Sequence, residues 1–196
     1  MTIDEFLAHV RNEPPRDVPH SARVPSPEAL AKLAKSGHMT LREFTSQSRE
    51  TERTSTRYGH VLGPGAQPEQ VADAWRRLSP VPLAADLQHL VERINGVHLW
   101  ANMATGRSYV GLAPVDEWER ARTKMYGLSA DPALLDDRFI AVSYHQDGAA
   151  FVVVDARTGT YYLMDSAGPD TSSPIGRNAE ALLSWLWESR VLPHVP

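Results

Sequence analysis

The chain has 196 residues, 42% of them hydrophobic and 22% charged, which supplies a folded core and argues against wholesale disorder. A formal net charge of −4 argues against nucleic-acid binding by bulk charge. The absence of cysteine removes disulfide scaffolds, thiolate catalysis and cysteine-bound zinc.

Thr2 and Glu5 have capping-box spacing and open a helix with Phe6, Leu7 and Val10 on one face. Asp4 and Glu5 stand where a secretory leader would be basic, and no segment approaches the ~18 apolar residues of a membrane span. A soluble, cytoplasmic protein is therefore expected. NEPPRDVPHSARVPSP cannot extend the first helix, because proline lacks an amide donor and restricts its predecessor. A second helix starts at Ser26-Pro27-Glu28 and stops at Gly37, and Thr40 to Glu43 repeats the capping box. SQSRETERTSTRYG is too polar to bury and reads as exposed or mobile.

Nine of the fifteen prolines fall in the first 82 residues, whereas all five tryptophans lie between Trp75 and Trp187. Large aromatics mark where a core can be built. The expected organisation is a helical, proline-rich extension over residues 1–66 and a principal domain over 67–196.

From Pro68, a short helix carries Val71, Trp75 and Leu78 on one side. Leu87, Leu90, Val91 and Ile94 give the i, i+3, i+4, i+7 stripe of a second, ended by Asn95-Gly96. VHLWANM and RSYVGL read as strands about Thr105-Gly106. Asp116 is placed to cap a helix carrying Trp118, Ala121 and Met125, and Asp131-Pro132 opens another helical turn. RFIAVSYH, FVVVD and TYYLMD read as consecutive strands, joined by turns at Asp147-Gly148 and Thr158-Gly159. Asn178 to Ser189 forms a closing helix, apolar on more than one side. Hairpin-joined strands with segregated helices predict the α+β class, a mostly antiparallel sheet with helices on one side.

The run PLAADLQHLVERINGVHLW, followed by YVGLAPVDEWERA, FIAVSYHQDGAAFVVVDARTGTYYLMDS and AEALLSWLWE, resembles the SUKH superfamily in order and spacing over residues 68–192. Val81-Pro82-Leu83 departs from the family's usual leucine-before-proline order, and residues 1–66 have no counterpart in it. The resemblance implies a binding module. Bacterial members are mostly immunity proteins that bind and neutralise a cognate toxin, often a nuclease, and fungal relatives regulate cell-wall synthesis. By this likeness the chain is expected to be a non-enzymatic inhibitor with no cofactor, its partner a basic protein toxin. A regulatory scaffold binding an endogenous enzyme is the alternative, and the oligomeric state is left open.

Ser143, His145 and Asp147 alternate along SYHQDG, so all three share a strand face. Same-face neighbours stand ~6.5 Å apart at the backbone, and triads assemble from separate segments, so a hydrolase built on Ser143 or His145 is disfavoured. The eight histidines form no HxH or HxxxH pair, which disfavours a metal site. The helices flanking Gly37-His38-Met39 permit a helix-turn-helix. Residues 1–69, however, carry nine acidic and nine basic residues, which does not suit DNA binding.

Seven aspartates (131, 136, 137, 147, 155, 165 and 170) face only Arg138 and Arg157 between Leu128 and Ile175. An acidic surface steers a basic partner, although turns and caps also favour aspartate. The expected partner-binding residues are Asp136, Asp137, Tyr144, His145, Asp147, Asp165, Asp170 and Trp100. The aromatics, with Tyr109, are possible anchors.

Overall fold

The computed structural model describes residues 1–36, 40, 48–106, 108, 110–124, 136–145, 150–165, 167–190 and 192. The capping box forms as expected: Thr2 N–H donates to Glu5 Oε2 at 2.7 Å, Glu5 N–H donates to Thr2 Oγ1 at 3.2 Å, and helix α1 runs Ile3–Asn12. Ser26 Oγ accepts the Ala29 amide at 3.1 Å and starts α2, Pro27–Ser36. Helices α3 (Pro68–Leu78) and α4 (Ala85–Arg93) bury Val71 and Trp75, and Leu87, Leu90 and Val91. Asn178 caps the closing helix, here α6 (Ala179–Glu188), by accepting the Ala181 amide at 2.8 Å. The second capping box, the Asp131-Pro132 turn and the Asp147-Gly148 turn fall outside the described residues.

The chain is α+β, with two antiparallel sheets. Two strands precede the tryptophan-bearing region: β1 (Arg16–Pro25) and β2 (Ser48–Leu62). The region before residue 67 is therefore not the helical extension expected from sequence. Polar β-formers such as Thr54 and Thr56 hold a strand without burial, so a reading keyed to hydrophobicity passes over it. The chain divides into two compact units. The first joins Met1–Pro15 to Tyr58–Leu192, and the second contains Arg16–Arg57. Within the second, β1 neighbours the first part of β2, and Thr54 Oγ1 donates to the His20 carbonyl at 3.3 Å.

In the first unit, the end of β2 pairs with β3 (Val97–Asn102), which pairs with β4 (Val110–Leu112) and through it with β7 (Ser143–His145). The other sheet runs β10 (Gly168–Pro169), β9 (Tyr161–Asp165), β8 (Ala150–Asp155), β6 (Phe139–Ala141) and β5 (Glu119–Arg120). The main core gathers Phe6 of α1, Leu90 and Ile94 at α4, Leu182 and Leu186 of α6, and Val152 and Val154 of β8. The alternate residues of β8, Phe151 and Val153, join Phe139, Met164 and Ala121 in a second, smaller core. Both faces of β8 are buried, which explains its unbroken apolar run.

The helix expected from Asp116 does not form as one element. Val115–Glu117 is a single 3-10 turn, β5 follows, and α5 covers only Ala121–Lys124. Tertiary pairing wins over local propensity here. Glu119 and Arg120 pair with Ala141 and Ile140, while the Trp118 indole donates to the Ala113 carbonyl at 2.9 Å. Among the described residues no helix is long and apolar enough to cross a membrane.

RFIAVSYH, one strand by sequence, is split at Val142 between the two sheets. The Val142 amide donates to the Val152 carbonyl at 3.0 Å, but its own carbonyl accepts from Ala113 N–H at 2.9 Å. The Val152 amide thereby loses its expected ladder partner. Ser143 Oγ takes that place, accepting the Val152 N–H at 2.6 Å. One buried hydroxyl thus lets the strand leave β8 and join β4.

Candidate functional site

The first notable geometry lies where β2 meets β3. Gly59 pairs with Ala101 and Val61 with His98, so Leu99 and Trp100 together stand opposite His60. Two residues against one is a β-bulge, a feature that leaves an amide unpaired by the ladder. Trp100 takes φ of +50°, the left-handed region that L-residues other than asparagine and aspartate seldom enter. Its amide donates instead to His60 Nδ1 at 3.0 Å, and its ring packs on the imidazole with centroids 4.4 Å apart.

That bond settles the tautomer. Nδ1 accepts, so Nε2 carries the hydrogen and donates to Glu13 Oε2 at 3.1 Å. The same oxygen takes Arg190 Nε at 3.3 Å, and the Arg190 guanidinium lies 3.4 Å from the Trp187 ring centroid. Burial acts to raise the Glu13 carboxyl, but the His60 hydrogen bond and Arg190 outweigh it and hold the group below the usual carboxylate range. With the His60 side chain 1% exposed and both ring nitrogens engaged, the arrangement braces the bulge. Sequence reading missed His60, Glu13 and Arg190. The available signal was the alternation Tyr58-His60-Leu62 at the end of a polar stretch.

Trp100, expected as an interface anchor, is 3% exposed and belongs to this cluster; the bulge turns its ring inward. Ser143 is 1% exposed, with its hydroxyl committed to the Val152 amide, so it is not placed as a nucleophile. Asp147 and Tyr109 lie outside the described residues, as does Asp131. Among the described residues no group of three histidine or acidic side chains could hold a metal ion.

Among the described residues the aspartates do not gather into one face. Asp137 pairs with Arg122 at 2.8 Å and Arg120 at 3.4 Å, while Asp136 lies 3.6 Å from Arg138 and 3.9 Å from Arg157. Asp155 is 3% exposed; it accepts the Arg157 amide at 2.9 Å and faces Arg138 at 3.5 Å. These acids are locally compensated by arginines that sequence reading set elsewhere or counted only in part. Asp165 and Asp170 are exposed and hold turns, accepting the Ala167 amide at 2.7 Å and the Ser172 amide at 3.1 Å. Phe139 pairs with Asp155 and Ala150 with Asp165, so Asp136–Asp137 and Asp165 stand at opposite ends of β8. Five steps of ~3.3 Å put those ends about 17 Å apart.

A second geometry is a row of paired positions across the first sheet, on the face opposite Val97, Leu99 and Leu112 of the main core. Register places Val61, His98, Gly111 and Tyr144 side by side on four neighbouring strands, and paired residues share a face. His145, one residue on, is opposite Val110 and so occupies a position on the other face. Val61 is 39% exposed and Met103, beyond the end of β3, 49%. The Met103 sulfur lies 3.0 Å from where a Cβ on Gly59 would stand, two residues from Val61 on the same strand. Burial holds the His98 imidazole below its ordinary value, with Glu117 pulling the other way, so it is neutral at pH 7. Exposed valine and methionine beside a neutral imidazole result, with buried Gly111 next in the row; the Tyr144 side chain lies outside the described residues. Comparison with family models, with curated proteins and with solved structures finds no match to this chain.

Proposed function

We propose that this chain is an immunity-type binding protein, which neutralises a basic protein toxin by occupying its active face and performs no chemistry of its own. Exposed Val61, paired with His98 and bordered by half-exposed Met103, carries the reading. Paired strands hold these positions rigidly, so little order is lost on binding, and methionine and aromatic residues are favoured at interface centres. The resemblance over residues 68–192 points the same way. Asp165 and Asp170, exposed at the β9–β10 end of the other sheet, supply the attractive charge toward a basic partner, whereas Asp136 and Asp137 are already offset by arginines.

The test is survival of a host that expresses the neighbouring open reading frame. Growth inhibition by that frame alone, relieved by this chain and not by its Met103→Glu, Val61→Arg variant, is the expected result. Relief that is undiminished in the double variant, with the fold intact, places the interface elsewhere. A harmless neighbour moves the reading toward regulation of an endogenous enzyme.

A further inference from the structure

The hydrogen bonds of His60 can be satisfied in only one protonation state. In the neutral ring Nδ1 accepts the Trp100 amide at 3.0 Å and Nε2–H donates to Glu13 at 3.1 Å. A second proton must go on Nδ1, where it meets another donor in place of a lone pair. Water is not at hand to relieve the clash, because the side chain is 1% exposed.

The charged and titratable groups around the ring, among the described residues, are Glu13 at the cap of α1, Arg190 beyond α6 and, across the Trp187 ring 5.8 Å from the imidazole, His9 of α1. Glu13 favours the imidazolium by its charge. Its Oε2, however, already carries Arg190 Nε at 3.3 Å as well as the imidazole, so protonation would set two cations on one oxygen. His9 stacks on the far partner, Trp187, with ring centroids 5.2 Å apart, and makes no direct bond to His60. An unperturbed imidazole changes charge near pH ~6.5.

We propose that His60 is a proton-operated latch: neutral, it closes the β3 bulge and ties it to α1 and Arg190; protonated, it lets go of the Trp100 amide. Release frees Trp100 from its left-handed backbone and loosens the sheet at Gly59–Val61, directly beneath Met103. Glu13 stays ionised through this transition, since its carboxyl is held below the ordinary value. The latch belongs to the folded chain alone and does not depend on the binding reading above.

The experiment is native-state amide exchange on the full chain at pH 7.5 and pH 5.0, read at Trp100 and corrected for intrinsic rates. His60→Asn retains an oxygen acceptor near the place of Nδ1 but cannot be protonated. In wild type the Trp100 amide should lose roughly tenfold in protection at pH 5.0, the scale of one hydrogen bond. In His60→Asn the protection should be the same at both values, and His9→Gln should behave as wild type. Equal loss in wild type and His60→Asn overturns the proposal, as does a wild-type Trp100 amide that stays protected at pH 5.0. Imidazole nitrogen shifts give a check independent of any variant. A His60 ring protonated at both nitrogens while Trp100 remains protected also overturns the latch.

Discussion

Ser143→Ala isolates the hydroxyl that allows one strand to serve two sheets. The Val142 carbonyl has moved to Ala113, so the Val152 amide depends on Ser143 Oγ alone for its 2.6 Å bond. Ser143 is 1% exposed and Val152 fully buried, so removing the oxygen strands a donor where water cannot reach. A buried unsatisfied amide costs about 1–3 kcal/mol, and the lost methylene volume is nil because alanine keeps Cβ. For a chain of this length the corresponding fall in melting temperature is about 3–10 °C. Urea unfolding is the assay. The midpoint should fall while the slope with denaturant stays constant, and Val152 should exchange its amide faster with neighbours unchanged. A stability loss under ~0.5 kcal/mol, the range of ordinary surface changes, would refute the argument that this hydroxyl completes the ladder.

Three further outcomes follow from particular contacts. Asp86 Oδ2, in the first turn of α4, accepts the Ala179 amide at the start of α6 at 2.6 Å, so Asp86→Ala should cost about 1–2 kcal/mol in denaturant melts and expose the α6 N-terminus to exchange. A Cβ on Gly111 would stand 2.0 Å from the Val97 carbonyl, so Gly111→Ala should destabilise by ~1–3 kcal/mol and shift β3–β4 amide resonances. The Glu13 carboxyl is depressed in the folded chain, so its stabilising contribution is present above pH ~4.5 and is lost as pH falls through the folded value. Wild type should therefore exceed Glu13→Gln in stability at pH 7 and converge with it as the pH falls well below ~4.5; curves parallel at all pH values would contradict the ion-pair account.

Local signals were strong enough to be read directly wherever one turn of chain closes its own bonds. The capping box at Thr2, the cap at Asn178, the stripe Leu87–Ile94 and the turn at Gly159, with φ of +68°, all follow from spacing and residue type, and the structure contains each. Together they suffice for the α+β class. Much of the site was not legible in this way. His60 and Arg190 lie 47 and 177 positions from Glu13 along the chain, and no periodicity joins them.

Residue pattern alone was enough for helices α1, α2, α3, α4 and α6 and for strands β3, β4, β8 and β9, because burial period, caps and turn residues act over a few positions. Tertiary packing was needed to make a polar threonine-rich stretch a strand, to divide RFIAVSYH at Val142, and to set Asp136, Asp137 and Asp155 beside arginines and apart from Asp165. The physical reason is common to all three. A ladder hydrogen bond or an ion pair is made with whatever stands opposite, and what stands opposite is set by packing the helices and both faces of β8 together.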